Sequence, residues 1–218
     1  MEREQAKQII ERTGIFPGIR VDSADQALYA AETLFEAGIA VAEITMTVPG
    51  AVDVIRRLVQ QFPRMAVGAG TVLDAETAMR CVDAGAQFVT STGLVAEVVE
   101  VVRRANIVPI PGALTPSEVI AGWKMGADYV KIFPAAALGG ELYIRSLKLP
   151  LPEVKIIAAG GVNQQTAAGF LRAGAAAIGI GMELLPREAV ARRQSHRIHE
   201  LARRFLGYVA EARKNDRR

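Results

Sequence analysis

Sulfur and imidazole chemistry are nearly missing from this sequence. Among 218 residues there is one cysteine, Cys81, and there are two histidines, His196 and His199. A single thiol excludes an internal disulfide framework, and its place in the helical pattern ETAMRCVDAG makes it a small buried hydrophobe rather than a nucleophile. Both histidines fall in the last helical stretch, so a site of two or three histidines among the loops is excluded and no metal is expected. Aromatic residues make up 6% of the chain, and no aromatic platform accompanies the arginines near its carboxyl end, which argues against nucleic acid as a partner. No apolar stretch approaches the roughly 20 residues that cross a bilayer. The amino-terminal MEREQAKQIIERTG is charged and helical in pattern, unlike a secretory leader. A cytoplasmic protein without a membrane partner is expected.

What is present is an ordinary globular composition, 50% apolar and 22% charged, at a length that suits one domain over residues 1–218. The net charge of +3 is local: residues 187–218 hold ten Lys/Arg against four Asp/Glu, which leaves the rest of the chain at −3. In that segment Ile198, Leu201, Phe205, Leu206 and Val209 form one apolar face with arginines opposite, a docked amphipathic helix.

Short β-like runs alternate with amphipathic helical stretches, the pattern of a parallel sheet with crossover helices. Eight strands are expected, at 15–21, 40–46, 65–72, 87–92, 107–112, 129–134, 154–161 and 176–181. Four segments, FEAGIAVAEI, VDAGAQFVTS, KMGADYVKIF and RAGAAAIGIG, each end a helix on glycine and begin a strand within a few residues. The predicted architecture is α/β: a single (β/α)8 TIM barrel with an extra amino-terminal helix over residues 2–13, with an open doubly wound sheet as the rival.

Alternation along barrel strands separates inward from outward side chains. In AVAEITMT, Ala42, Ile44 and Met46 share one side while Glu43, Thr45 and Thr47 share the other, so the polar set faces inward. The same rule turns Arg20 inward from the first strand and Lys131 inward from YVKIFPAA. Arg20, Glu43, Thr71 and Lys131 all lie near the carboxyl ends of strands, where barrel active sites are built. Glu43 and Lys131 could form a purely structural salt bridge, but burying ions costs about several kcal/mol each, which favours a functional use. Lys155 is the control: it stands at the beginning of its strand, the end that serves stability. A lysine in an apolar pocket has its charged form disfavoured, which suits attack on a carbonyl, and a nearby carboxylate can shuttle the protons of Schiff-base formation. The glycine clusters AAGGVN and IGIGM close the seventh and eighth strands, where barrel phosphate sites form, so Gly160, Gly161, Gly179 and Gly181 are candidate phosphate binders. VGAGTV lacks the third glycine of a dinucleotide fingerprint.

Six ordered motifs, GIR, EITMTVP, VGAGTVL, PGALTPSE, KIFPAA and AAGGVN, together resemble the bacterial 2-keto-3-deoxy-6-phosphogluconate aldolases, a family that includes 4-hydroxy-2-oxoglutarate aldolases. The resemblance implies a class I aldolase, homotrimeric and without a cofactor, that cleaves a small-molecule 2-keto acid to pyruvate and glyceraldehyde 3-phosphate. It further implies Lys131 as the Schiff-base lysine, Glu43 as the general acid/base, and Thr71 with Arg20 as holders of the pyruvate carboxylate. Some members place that arginine four residues after the glutamate, where this chain has Thr47. Ala159 and Met182 stand where many members have hydroxyls for the phosphate, Thr92 replaces a common proline, and Ala136 replaces a common Glu or Ser. These departures leave open the 6-phosphogalactonate epimer or an unphosphorylated acid such as 4-hydroxy-2-oxoglutarate as substrate; apart from them, the rival readings are a phosphate-binding barrel isomerase or synthase, which would keep the glycine clusters without needing Lys131, and a trimeric barrel remnant whose basic last helix recruits an acidic partner.

Overall fold

The computed structural model describes residues 1–215; Asp216, Arg217 and Arg218 of the basic segment lie outside them. The chain begins with helix α1 (Arg3–Thr13), closed by Gly14 in the left-handed conformation. The strands follow in order: β1 (Ile15–Ile19), β2 (Val41–Thr45), β3 (Ala66–Gly70), β4 (Phe88–Thr90), β5 (Val108–Ile110), β6 (Gly112–Ala113), β7 (Val130–Ile132), β8 (Ile156–Ala159) and β9 (Ala175–Ile180). Every pairing among them is parallel, in the order β5-β4-β3-β2-β1-β9-β8-β7-β6.

The ninth strand arises where the sequence predicts a single fifth one. Pro111 has no N–H to give to a ladder, and it divides that run into β5 and β6. β5 pairs with β4 and β6 with β7, and the bonds from Asp128 N–H to the Pro109 carbonyl at 3.1 Å and from Lys131 N–H to the Pro111 carbonyl at 2.8 Å tie the β7 segment to both parts of the divided run. The ring closes through this proline, so the eight βα units stand and the open-sheet rival does not.

The glycines at the four helix-to-strand junctions, Gly38, Gly85, Gly126 and Gly174, all have φ between 89° and 100°. A side chain at those angles is strained, and glycine lets each helix stop and turn into its strand within a few residues.

Two apolar clusters result. The larger lies between the strands and the surrounding helices. The smaller fills the barrel itself with Phe16, Phe88, Tyr129, Ile110 and Ile157, and α1 covers its floor with Ala6 and Ile10, both fully buried. Phe88 fits because its neighbour across the ladder is small: a β-carbon on Gly68 would come within 2.3 Å of the Phe88 carbonyl. Burying such rings contributes about 1.5–3 kcal/mol each. Cys81 belongs to the outer cluster, and burial pushes its thiol up to about 11, consistent with a packing residue.

The basic carboxyl-terminal segment is not one helix. α9 (Arg187–Ala191) and α10 (Ser195–Asn215) are separated by residues 192–194, where Arg193 takes a left-handed φ of 51°. The apolar face of α10 buries Ile198, Phe205 and Val209, together with Ala202 and Ala212; Leu201 and Leu206 lie at its edge.

Candidate active site

The inward side of β2 brings Glu43 into the barrel mouth, where it is 4% exposed. Its carboxylate has room because both flanking strands place a glycine against it. A β-carbon on Gly70 of β3 would lie 2.6 Å from Glu43 Cγ, and one on Gly18 of β1 would lie 3.0 Å from Oε2. Across the mouth, Lys131 of β7 donates to Glu43 Oε1 at 2.9 Å, with side-chain exposures of 13% and 5%. The lysine therefore does not stand in apolar surroundings alone, as its sequence context suggests; its amine is paired with the very carboxylate proposed to serve it.

Thr90 of β4 completes the arrangement, and the sequence reading did not single it out. Its hydroxyl donates to Glu43 Oε1 and lies 3.5 Å from Lys131 Nζ. The signal was available, since Thr90 shares the inward side of β4 with Phe88, as Glu43 shares the inward side of β2 with Val41. Thr45 is also inward, and its hydroxyl donates to the Ile19 carbonyl at 3.1 Å.

Thr71 follows β3 directly and lines the same cleft. Its φ of 61° is unusual for a β-branched residue, a strain of order 1–3 kcal/mol that folds retain where surrounding contacts or function demand it. Arg20, just beyond β1, is exposed at the rim. Among the described residues neither Arg20 nor Arg187 makes an ion pair.

Arg20, Glu43, Thr45, Thr71 and Lys131 line a cleft of about 310 Å³ together with Phe16, Gly18, Phe133 and the ends of β8 and β9. Gly160, Gly179 and Gly181 lie in its wall, beside Ala159, Met182 and Leu185. Gly179 owes its identity to packing as well, since a β-carbon there would sit 2.6 Å from the Ala159 methyl. Gly161 is placed differently: it backs onto Ala136 outside the cleft wall, with a φ of 78°. Met182 is 66% exposed at the cleft's edge, not buried within it.

Two competitors for the chemistry are weaker. A larger groove of about 530 Å³, lined by Met46, Asp53, Arg56, Thr77 and Arg80, runs along the outside of the barrel and holds no buried lysine. Burial lowers the pKa of Lys148, but its amine donates to the Pro152 and Val154 carbonyls at 2.6 and 2.8 Å, away from any cleft. Among the described residues no group of three or more His, Cys, Asp or Glu could hold a metal, and no helix is long and apolar enough to cross a membrane.

A parallel eight-unit barrel with a half-buried lysine in contact with a buried glutamate at the mouth where its strands end defines a class: barrel enzymes equipped for amine–carbonyl chemistry. The comparisons narrow it. The family described as KDPG and KHG aldolase matches residues 6–201, and the chain belongs to that family. It is 31% identical over 201 residues to the KHG/KDPG aldolase of Escherichia coli strain K12, covering 92% of this chain and 94% of that one. Among solved structures, it is similar to the KDPG aldolase of Legionella pneumophila with pyruvate captured at low pH as a covalent carbinolamine intermediate (34% identity, 87% and 94% covered, TM-score 0.79). It is also similar to a native KDPGal structure (27% identity, 91% and 96% covered, TM-score 0.83).

Proposed function

We propose that this protein is a class I aldolase that cleaves a 2-keto-3-deoxy-6-phospho sugar acid to pyruvate and glyceraldehyde 3-phosphate through a Schiff base on Lys131. The observation that carries the reading is the contact of Lys131 Nζ with Glu43 Oε1 at 2.9 Å in a cleft that is open on one side only. The Legionella relative supports it, since that protein holds pyruvate as a covalent carbinolamine.

The steps use residues already in contact. Glu43 takes a proton from Lys131, and the free amine attacks the C2 carbonyl to give a carbinolamine. Glu43 returns a proton to the departing hydroxyl, so water leaves and the imine forms. Glu43 then removes the proton of the C4 hydroxyl; the C3–C4 bond breaks, its electron pair passes into the imine to give an enamine, and the aldehyde is released. Protonation at C3 and addition of water to the imine return pyruvate and the lysine. Thr90 fixes the carboxylate that serves each of these transfers.

Arg20 and Thr71 hold the substrate carboxylate, a role suited to a guanidinium without an acidic partner and to a strained backbone kept at the rim. Backbone N–H groups around Gly160 and Gly181 receive the phosphate, with Gly161 and Gly179 shaping the wall behind them. A homotrimeric cytoplasmic enzyme of carbohydrate metabolism is the setting that the family resemblance supports. The deciding experiment is incubation with pyruvate and borohydride, then peptide mapping. A reduced adduct on Lys131 is expected; an adduct on Lys148 or Lys155, or none, would overturn the reading.

A further inference from the structure

The substrate class proposed above carries two anions, a carboxylate at one end and a phosphate at the other, and the cleft offers unequal means to hold them. The carboxylate end has Arg20, Thr71 and Thr45 within the cleft wall. The far end is formed by Ala159, Gly160, Gly179, Ile180, Gly181, Met182 and Leu185, and none of these side chains can donate a hydrogen bond. A phosphate monoester carries a charge of about −1.5 to −2 near neutral pH and three acceptor oxygens, more than a few backbone N–H groups satisfy.

With Arg20 assigned to the carboxylate and Lys131 to the carbonyl, one further cation of the cleft wall can answer the charge. Arg187 lines the cleft beside Met182 and Leu185, is exposed, and pairs with no carboxylate among the described residues. Its neighbour Glu188 is already engaged by Arg192 at 3.2 Å. The root of Arg187 is well fixed. Leu184 and Leu185 both donate backbone bonds to the Gly181 carbonyl at 3.0 Å, their side chains are buried, and Val190 N–H returns to the Pro186 carbonyl at 3.1 Å. This short turn ties the arginine to the glycine whose backbone faces the cleft. Met182, 66% exposed, lines the cleft with them.

We propose that Arg187 is the specificity-determining residue of this site, its guanidinium binding the distal phosphate of the substrate in place of side-chain hydroxyls. The inference rests on the aldolase reading and adds the residue that selects the phosphorylated substrate. A guanidinium fork matches two phosphate oxygens and does not depend on a hydroxyl at either 159 or 182. The exposed side chain loses rotamer freedom on binding, which holds its effect to about tenfold to a hundredfold rather than more.

The test compares kcat and KM for 2-keto-3-deoxy-6-phosphogluconate and for its unphosphorylated counterpart in the wild type, Arg187→Ala, Arg187→Gln, and Arg187→Ala combined with Met182→Ser. Pyruvate trapping by borohydride is run on the wild type alongside. Both single variants should reduce the ratio of kcat/KM, phosphorylated over unphosphorylated, by about tenfold to a hundredfold, with the loss in KM for the phosphorylated acid. Inorganic phosphate should inhibit them correspondingly less well, and the added serine should recover part of the ratio. If the wild type traps pyruvate on Lys131 but the ratio is unchanged in both single variants, backbone groups alone bind the phosphate and the proposal is overturned. A wild type that shows no preference for the phosphorylated acid overturns it as well. A wild type that traps no pyruvate overturns the aldolase reading itself.

Discussion

Lys131 with Glu43 and Lys155 with Glu11 are the same two side chains in contact at opposite ends of one barrel, at 2.9 and 2.6 Å. The shorter pair is the less consequential one. Lys155 and Glu11 are 44% and 42% exposed, and Glu11 also accepts from Tyr129 at 2.8 Å. This pair ties α1 to the barrel floor, where solvent screens it to a worth of about 0–1 kcal/mol. Lys131 and Glu43, at 13% and 5%, have given up most of their hydration, a cost of about several kcal/mol per ion that the contact and the Thr90 bond only partly offset. What separates the two pairs is burial beside an open cleft, not distance: a desolvated pair next to space for a carbonyl compound is set up to exchange its proton.

The sharpest way to break the comparison is to delete each lysine in turn. Lys131→Ala should lose aldol cleavage below detection, while Lys155→Ala should cleave at close to the wild-type rate. Circular dichroism should show both folded, because water entering the cleft can hydrate the Glu43 left behind. Equal loss in the two variants would make both pairs structural. The glutamates should differ by less. Glu43→Gln should slow cleavage by about 10² to 10⁴, the worth of a positioned general acid/base, while Glu11→Gln leaves turnover alone. Steady-state kcat on both variants decides this.

The smallest effect is on stability. Burial alone pushes the Glu11 carboxyl up, but bonds from Lys155 and Tyr129, with the charges of Lys155 and Lys7, outweigh it and hold the group below its ordinary 4.5. A carboxyl depressed in the folded state contributes stability above its unfolded value and loses that contribution as pH falls through the folded one. Glu11→Gln should therefore lower Tm slightly at pH 6 to 7, by the equivalent of about 0.2–1 kcal/mol, with the gap closing below pH 4.5. A gap that persisted into acid would assign the loss to packing rather than to charge.

Much of the fold was legible because its determinants are local. Glycine at four helix ends and side-chain alternation along strands are properties of neighbouring residues, and they located every βα unit and the inward direction of Arg20, Glu43 and Lys131. What escaped depends on residues far apart in sequence. Pro111 divides a strand only because β5 and β6 take different neighbours. Thr90 matters through a bond to a residue 47 positions away. Gly18 and Gly70 read as strand glycines until the carboxylate between them is seen. Arg187 was read as part of a basic helical face, and the break at Arg193 moves it into a separate short helix at the cleft. Gly161, expected beside Gly160 from the motif, takes a positive φ and would set a β-carbon against Ala136, a packing demand that its sequence neighbours do not announce.

The floor that α1 lays under the barrel has a consequence for traffic. With Ala6 and Ile10 fully buried and Phe16, Phe88 and Tyr129 filling the space above them, the cleft is a blind well with one mouth. On the aldolase reading proposed above, a carbonyl carbon bound to Lys131 would lie deep, with the aldehyde half toward the exposed Met182 and Arg187. Water would then reach such an imine through the same mouth by which the aldehyde leaves. On that mechanism carbon–carbon cleavage frees the aldehyde while pyruvate stays bonded to the lysine, and the sealed bottom makes a single mouth serve both departures without a gate.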